Sequence, residues 1–140
     1  MKQIPVIFWT GTGNTQMMAD VIAEAINSAG AEAVVKNVSE ITADEAAGYD
    51  ALALGCPAMG AEVLEECEFE PFFTELEGKL AGKKVALFGS YGWGGSYMQD
   101  WEARVKDAGA ELVAAGVLAL GAPDDEAEAK LAEAGKLLAE

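Results

Sequence analysis

The sequence has no histidine, only nine basic residues and only two cysteines, and each of these shortages excludes a class of function. Without histidine, the chain lacks the commonest general base and metal ligand of proteins. Its 24 acidic residues give a formal charge of −15, which argues against binding to nucleic acid or to an anionic membrane surface. Cys56 and Cys67 form no CxxC motif, so we expect two thiols in a reducing, cytoplasmic compartment rather than a disulfide.

Long apolar runs are also missing. None approaches the roughly eighteen residues that a membrane-spanning helix needs, and residues 1–3 lead into a strand-like run without a signal-peptide core. The runs that are present have the length of strands and alternate with helical patterns, which predicts the order βαβαβαβαβα. We place strands at 4–9, 31–38, 49–56, 83–90 and 110–123, and helices at 15–30, from 42, at 69–82, 96–109 and 124–140.

This alternation is typical of a parallel sheet with helices on both faces. We therefore predict one α/β domain over residues 1–140, with three layers and a five-stranded sheet of order 2-1-3-4-5. In that order a ligand binds outside the carboxyl ends of the central strands. Three unusual loops follow those ends.

The first loop is contained in "FWTGTGNT", residues 8–15. Phe8 is expected to lie in the sheet and Trp9 beneath the loop. The backbone amides of a helix start can hold a phosphate, and Gly11 and Gly13 allow close approach. The side chains that add neutral hydrogen-bond donors are Thr10, Thr12, Asn14 and Thr15. A Walker loop would need a lysine, and Gln16 occupies the third glycine position of a dinucleotide motif. A polar cap on the first helix is the alternative interpretation.

The second loop follows the third strand and reads Cys56-Pro57-Ala58-Met59-Gly60-Ala61-Glu62. It lacks the aspartate that a response-regulator receiver needs at the end of this strand. The thioether of Met59 would lie well against an aromatic ring, although a plain turn with this methionine in the core explains the loop equally simply.

The third loop follows the fourth strand and reads Ser90-Tyr91-Gly92-Trp93-Gly94-Gly95-Ser96. Two large aromatics among glycines would be exposed unless they fold back over the sheet or pack against something flat. Together the loops indicate a ligand with one phosphate and one flat ring, and they offer no nucleophile–base pair.

The stretches "FWTGTGNT", "LGCPAMGAEVLEECEFEPFFTEL" and "LFGSYGWGGSYMQDW" resemble short-chain flavodoxins of the clostridial type, and the resemblance covers essentially the full length. It implies the flavodoxin-like fold, FMN bound without a covalent link, and a low-potential one-electron carrier between redox enzymes rather than an enzyme. The implied cofactor-binding residues are Thr10, Gly11, Thr12, Gly13, Asn14, Thr15, Cys56, Pro57, Ala58, Met59, Gly60, Ala61, Glu62, Ser90, Tyr91, Gly92, Trp93 and Gly94.

The resemblance also implies individual roles. Residues 10–15 would hold the phosphate, and Met59 and Trp93 would cover the two faces of the isoalloxazine ring. Residues 60 and 61 would lie beside N5, and Glu62 would accept from N3–H. Backbone groups of residues 92 and 94 would approach N1 and O2, with Tyr91 near the ribityl chain.

Two positions depart from the family pattern. Relatives often carry Gly, Asp, Asn or Ser where this chain has Ala61, and alanine tolerates a positive φ poorly in the turn that forms on reduction. Relatives often have a polar residue before the last loop's proline, whereas this chain has Leu120, so a ribityl contact from that loop is not expected.

The segment 61–77 carries seven glutamates and no basic residue: Glu62, Glu65, Glu66, Glu68, Glu70, Glu75 and Glu77. These charges would oppose a further negative charge on the flavin and would attract basic surfaces of redox enzymes in transient, salt-sensitive contacts. We expect a monomer. An FMN-dependent reductase on the same fold, or a module that binds a phosphate compound without redox work, are the alternative functions.

Overall fold

The computed structural model describes residues 2–9, 13–57, 67–91 and 96–140, apart from the side chain of Ser96. The strands are β1 (Gln3–Phe8), β2 (Glu32–Asn37), β3 (Ala51–Gly55), β4 (Lys84–Tyr91), β5 (Glu111–Leu112) and β6 (Val117–Leu120). The helices are α1 (Asn14–Ser28), α2 (Ala43–Ala46), α3 (Phe69–Glu77), α4 (Ser96–Asp107) and α5 (Asp125–Ala139), with a short 3-10 helix at Val38–Glu40. No helix in these ranges is long and apolar enough to cross a membrane.

All strand pairs are parallel, and the sheet runs β2-β1-β3-β4, with β5 and β6 both paired to β4. This confirms the predicted order 2-1-3-4-5. The predicted last strand is, however, divided in two. Pairing with β4 continues through Val113, whose N–H donates to the Val85 carbonyl. The N–H of Gly116 instead donates to a Glu102 carboxylate oxygen of α4 at 2.7 Å, which takes this residue out of the ladder.

Alternate side chains of β1 enter two separate cores because successive residues of a strand face opposite sides of the sheet. Ile4, Val6 and Phe8 pack with α1 and α5 on one side. Ile7 packs with α3 and α4 on the other. Both predicted helical layers are therefore present, and β1 lies buried between them.

Aromatic rings join α3 to α4 in the second core. Trp101 meets the rings of Phe69 and Phe73 edge-on, with centroids 5.5 and 5.9 Å apart. Tyr97, one turn earlier on α4, stacks against Trp101 at 6.4 Å. These contacts fix α4, and with it the residue that follows the third loop, against α3.

The only arginine of the sequence extends this junction toward the surface. Arg104 lies 4.7 Å from the ring centre of Phe73 and donates to the carboxylates of Glu70 and Glu77. Hydrogen bonding to Arg104 holds the pKa of Glu70 below its usual value, and both carboxylates raise the pKa of Arg104. Glu70 and Arg104 are therefore both charged near neutral pH.

Candidate functional site

The carboxyl ends of three neighbouring strands meet at one edge of the sheet, where the three predicted loops begin. Phe8 at the end of β1 is opposite Gly55 at the end of β3, and Gly55 is opposite Phe88 of β4. The described candidate residues at this edge are Gly13, Asn14, Thr15, Cys56, Pro57, Ser90 and Tyr91. The other candidates, Thr10, Gly11, Thr12, Ala58, Met59, Gly60, Ala61, Glu62, Gly92, Trp93 and Gly94, lie outside the described residues.

The first loop ends at Gly13, which has a left-handed conformation with φ of 93° and occupies the N-cap position of α1. This φ favours glycine, and a Cβ built there meets no atom of the described residues within 4 Å. Because glycine has no side chain, it supplies no polar cap to the first turn. The amide groups of that turn have no intrahelical partners and are suited to an anion.

Thr15 connects the first loop to the third. Its hydroxyl oxygen lies 3.2 Å from that of Ser90, and the two residues are only 1% and 6% exposed. The hydroxyl group of Thr15 is therefore shared with Ser90 beneath the loop, a pairing that the sequence pattern did not indicate. The contact places the start of α1 directly beside the end of β4.

The second loop begins at Cys56, which is buried and held at its backbone. Its N–H donates to the Phe88 carbonyl at 3.1 Å, and its carbonyl accepts from the Tyr97 hydroxyl at 2.7 Å. Cys56 and Cys67, which lies between this loop and α3, are both thiols, as predicted, and the second is exposed.

The Tyr97 hydroxyl is a structural element that the sequence analysis missed. Tyr97 is 2% exposed, and its burial, assisted by the neighbouring Cys56, raises its pKa far above the usual value, so the hydroxyl keeps its proton. Gly89 leaves room for this bond, since a Cβ there would collide with both the Cys56 carbonyl and the Tyr97 hydroxyl. A tyrosine directly after a glycine-rich loop was the available sequence signal.

Trp9 connects the exit of β1 to the segment between the second loop and α3. Its backbone N–H donates to the Gly55 carbonyl at 3.0 Å. Its half-buried indole Nε1 donates to a carboxylate oxygen of Glu68 at 3.1 Å. The indole thus contacts the segment that leads into α3, in addition to lying at the start of the first loop.

A polar cavity of about 210 Å³ adjoins Tyr91 at the same edge of the sheet. Asp124 and Lys130 of the α5 region line it together with the end of β6. Leu120, at that end, is 67% exposed and brings no polar side chain to the cavity. Whether this loop contacts the ribityl chain stays a prediction.

The acidic segment is less uniform than its sequence suggests. Glu70 and Glu77 are paired with Arg104, and Glu68 accepts from Trp9. Glu75 is exposed, whereas Glu62, Glu65 and Glu66 lie outside the described residues. Part of the negative charge is therefore compensated locally. Among the described residues, no group of three or more potential ligand side chains could hold a metal ion.

Comparison with known proteins gives a consistent result along the chain. The family model described as Flavodoxin matches residues 6–135. The flavodoxin of Clostridium beijerinckii is 49% identical over 135 residues, covering 96% of this chain and 97% of that protein. The flavodoxin of Megasphaera elsdenii is 45% identical over 128 residues, covering 91% and 93%. The solution structure of the two-electron reduced M. elsdenii flavodoxin superposes with a TM-score of 0.89 at 43% identity, covering 97% and 98%.

Proposed function

Because the chain belongs to the flavodoxin family, whose members are FMN-bound electron carriers, we propose which of its residues hold the cofactor and meet the partner proteins. The chain is an electron carrier rather than an enzyme. Bound FMN supplies the one-electron chemistry, and the protein's residues bind and orient it. The observation that supports the proposed site best is that the three loops leave neighbouring strands at one sheet edge, where Thr15 contacts Ser90.

The phosphate is held by residues 10–15. The left-handed Gly13 and the first-turn amides of α1 fit a phosphate group, and Asn14 adds a neutral donor. No lysine or arginine occurs between Lys2 and Lys36, so the residues of this cradle supply no positive charge to the phosphate. A unit negative charge at about 10 Å, with an effective dielectric constant near 20, opposes a further electron by about 1.7 kcal/mol, on the order of 70 mV. We therefore expect a low reduction potential for the bound flavin.

The ring would be held by the second and third loops, with Met59 and Trp93 covering its two faces. Residues 60–62 would bind its N5 and N3 edge, and backbone groups of residues 92 and 94 would bind N1 and O2. Cys56, Pro57, Ala58, Ser90 and Tyr91 complete the binding residues. The side-by-side exits of β3 and β4 support this arrangement.

The partners are redox enzymes, and we propose that they present basic surfaces to the acidic face around the loops in transient, salt-sensitive contacts. The formal charge of −15 supports this proposal. The carrier is a single domain over residues 1–140, monomeric and cytoplasmic.

Absorption spectroscopy with FMN and riboflavin tests the assigned site. We expect a yellow protein with quenched flavin fluorescence, and much weaker binding of riboflavin, which lacks the phosphate. Equal affinity for the two flavins would contradict the phosphate cradle, and a colourless protein without FMN uptake would contradict the site as a whole. Sustained NADPH oxidation by the isolated protein would instead indicate a reductase.

A further inference from the structure

The two ends of the segment between β3 and α3 are held by aromatic side chains that belong to the other two loops. Cys56, at one end, accepts from Tyr97, which directly follows the third loop. Glu68, at the other end, accepts from Trp9, which directly precedes the first loop. Each end of the 56–68 segment, which contains the second loop, is therefore connected to a different neighbour.

The surroundings of the hydrogen bond from Tyr97 to Cys56 restrict its geometry. Both Cys56 and Tyr97 are buried, and the 2.7 Å bond joins a hydroxyl that keeps its proton to a carbonyl with no access to bulk water. Only glycine fits at position 89, because any Cβ there would collide with both the Cys56 carbonyl and the Tyr97 hydroxyl. The stacking of Tyr97 on Trp101 fixes the direction from which the hydroxyl approaches.

The hydrogen bond from Trp9 to Glu68 is donated by a residue whose backbone is itself bonded to the sheet. The backbone of Trp9 is bonded to Gly55 at the end of β3, so the indole starts from a rigid position. Its Nε1 donates to a carboxylate, which strengthens the 3.1 Å bond. This contact is exposed, so it contributes less than the buried bond at Cys56.

We propose that Tyr97 and Trp9 are positioning residues that fix the two ends of the 56–68 segment, which contains the ring-binding loop, before FMN arrives. Ordering a free loop would consume part of the binding free energy, and a loop held at both ends loses less entropy on binding. This inference rests on the proposed role of the second loop as a ring-binding element. It predicts that these two aromatics affect the affinity for the flavin ring and do not affect the affinity for phosphate.

The test compares three ligands on the full chain: FMN, riboflavin, which keeps the ring, and inorganic phosphate, which lacks it. In Tyr97→Phe the aromatic ring remains and only the hydroxyl is lost. We expect the dissociation constants of FMN and riboflavin to rise by about five- to thirtyfold, with that of phosphate unchanged. In Trp9→Phe we expect the same pattern at about two- to fivefold.

Two control variants separate positioning from general stability. Val105→Ala removes a buried side chain from the same helix, and Tyr49→Phe removes a tyrosine hydroxyl near the amino end of β3. Neither should change the ratio of ring affinity to phosphate affinity. Visible circular dichroism of the bound flavin, which reports ring orientation, should change in Tyr97→Phe and Trp9→Phe and stay constant in both controls.

Unchanged riboflavin affinity in both aromatic variants, or an equal loss of ring and phosphate binding, would overturn the positioning role. If the wild-type protein takes up FMN and the two aromatic variants behave like the controls, only this inference is contradicted. Wild-type protein that takes up no FMN contradicts the proposed site itself. If Tyr97→Phe fails to fold, Trp9→Phe alone decides, because its ring affinity must then fall for the inference to hold.

Discussion

Replacing Arg104 by methionine is expected to destabilise the fold, because two carboxylates lose their shared partner. The guanidinium donates to Glu70 at 2.7 and 2.9 Å and to Glu77 at 3.0 and 3.1 Å. Methionine keeps an unbranched chain over Phe73, whose ring centre lies 4.7 Å from the guanidinium carbon. The change therefore removes the charge and the hydrogen bonds while retaining most of the apolar packing.

The magnitude follows from the number of bonds and their exposure. A hydrogen bond to a charged group contributes about 1.5–3 kcal/mol when it is buried. The three side chains are 30–35% exposed, so we take about 1 kcal/mol for each carboxylate after solvent screening. Repulsion between the two abandoned carboxylates adds to this loss. We expect a total destabilisation of about 2–3 kcal/mol near neutral pH.

The pH dependence has a defined sign. Arg104 lowers the pKa of folded Glu70 from its usual 4.5, so the stabilisation is complete above that value and is lost as the pH falls through the folded pKa. The stability gap between wild type and Arg104→Met should therefore shrink as the pH is lowered from neutral to about 3.

Urea unfolding at low salt, with a fixed excess of FMN, measures this gap. Lys106→Met removes the same unit charge from an exposed position of the same helix, and we expect it to change stability by less than about 0.5 kcal/mol. The reasoning is refuted if Arg104→Met is no less stable than this control, or if the gap widens on acidification.

Three further predictions concern single positions. In Gly13→Ala, the strain of a side chain at a φ of 93° should weaken FMN binding by about five- to thirtyfold in a fluorescence titration. Asn14→Lys adds a positive charge at the first residue of α1 and should raise the second one-electron midpoint potential, on the order of 70 mV if FMN lies about 10 Å away. In Gly135→Ala, the new Cβ would lie 2.9 Å from the Ala25 Cβ and the Ile22 carbonyl oxygen, so urea unfolding should show a loss of about 1–2 kcal/mol.

Each of these predictions has its own contrary result. Unchanged FMN affinity in Gly13→Ala would mean that the phosphate cradle does not need the left-handed backbone. A second potential that stays constant at low salt in Asn14→Lys would argue against a phosphate at this helix start. Gly78→Ala is the control for Gly135→Ala, because the new Cβ at position 78 meets none of the described atoms within 4 Å. Equal stability of the two alanine variants would contradict close approach of α1 and α5.

The central sheet could be predicted from sequence because β1, β3 and β4 are apolar over nearly their whole length. Such runs fit only strands covered on both faces, and their alternation with helices leaves few topologies. The division of the last strand could not be predicted, since Gly116 leaves the ladder through a bond to Glu102 of another element. The residues around Gly116 do not indicate that Glu102 accepts from it.

The same distinction applies to the site. Thr15 was identified as a polar residue of the first loop, but its buried contact with Ser90 depends on how far β4 extends at the sheet edge. The Tyr97 hydroxyl bonds a backbone carbonyl 41 residues earlier in the chain. A carbonyl acceptor has no residue-type signature, so only the folded arrangement reveals it.

The divided last strand also bears on how copies of the chain meet one another. A continuous exposed strand edge is a template for pairing with a second molecule. On one side, the ladder along β4 is interrupted between Val113 and Val117, which leaves only short strands at that edge. On the other side, the outermost strand β2 carries the charged residues Glu32 and Lys36. Neither border offers a long apolar ribbon, so this carrier should resist strand-to-strand aggregation even in concentrated solution.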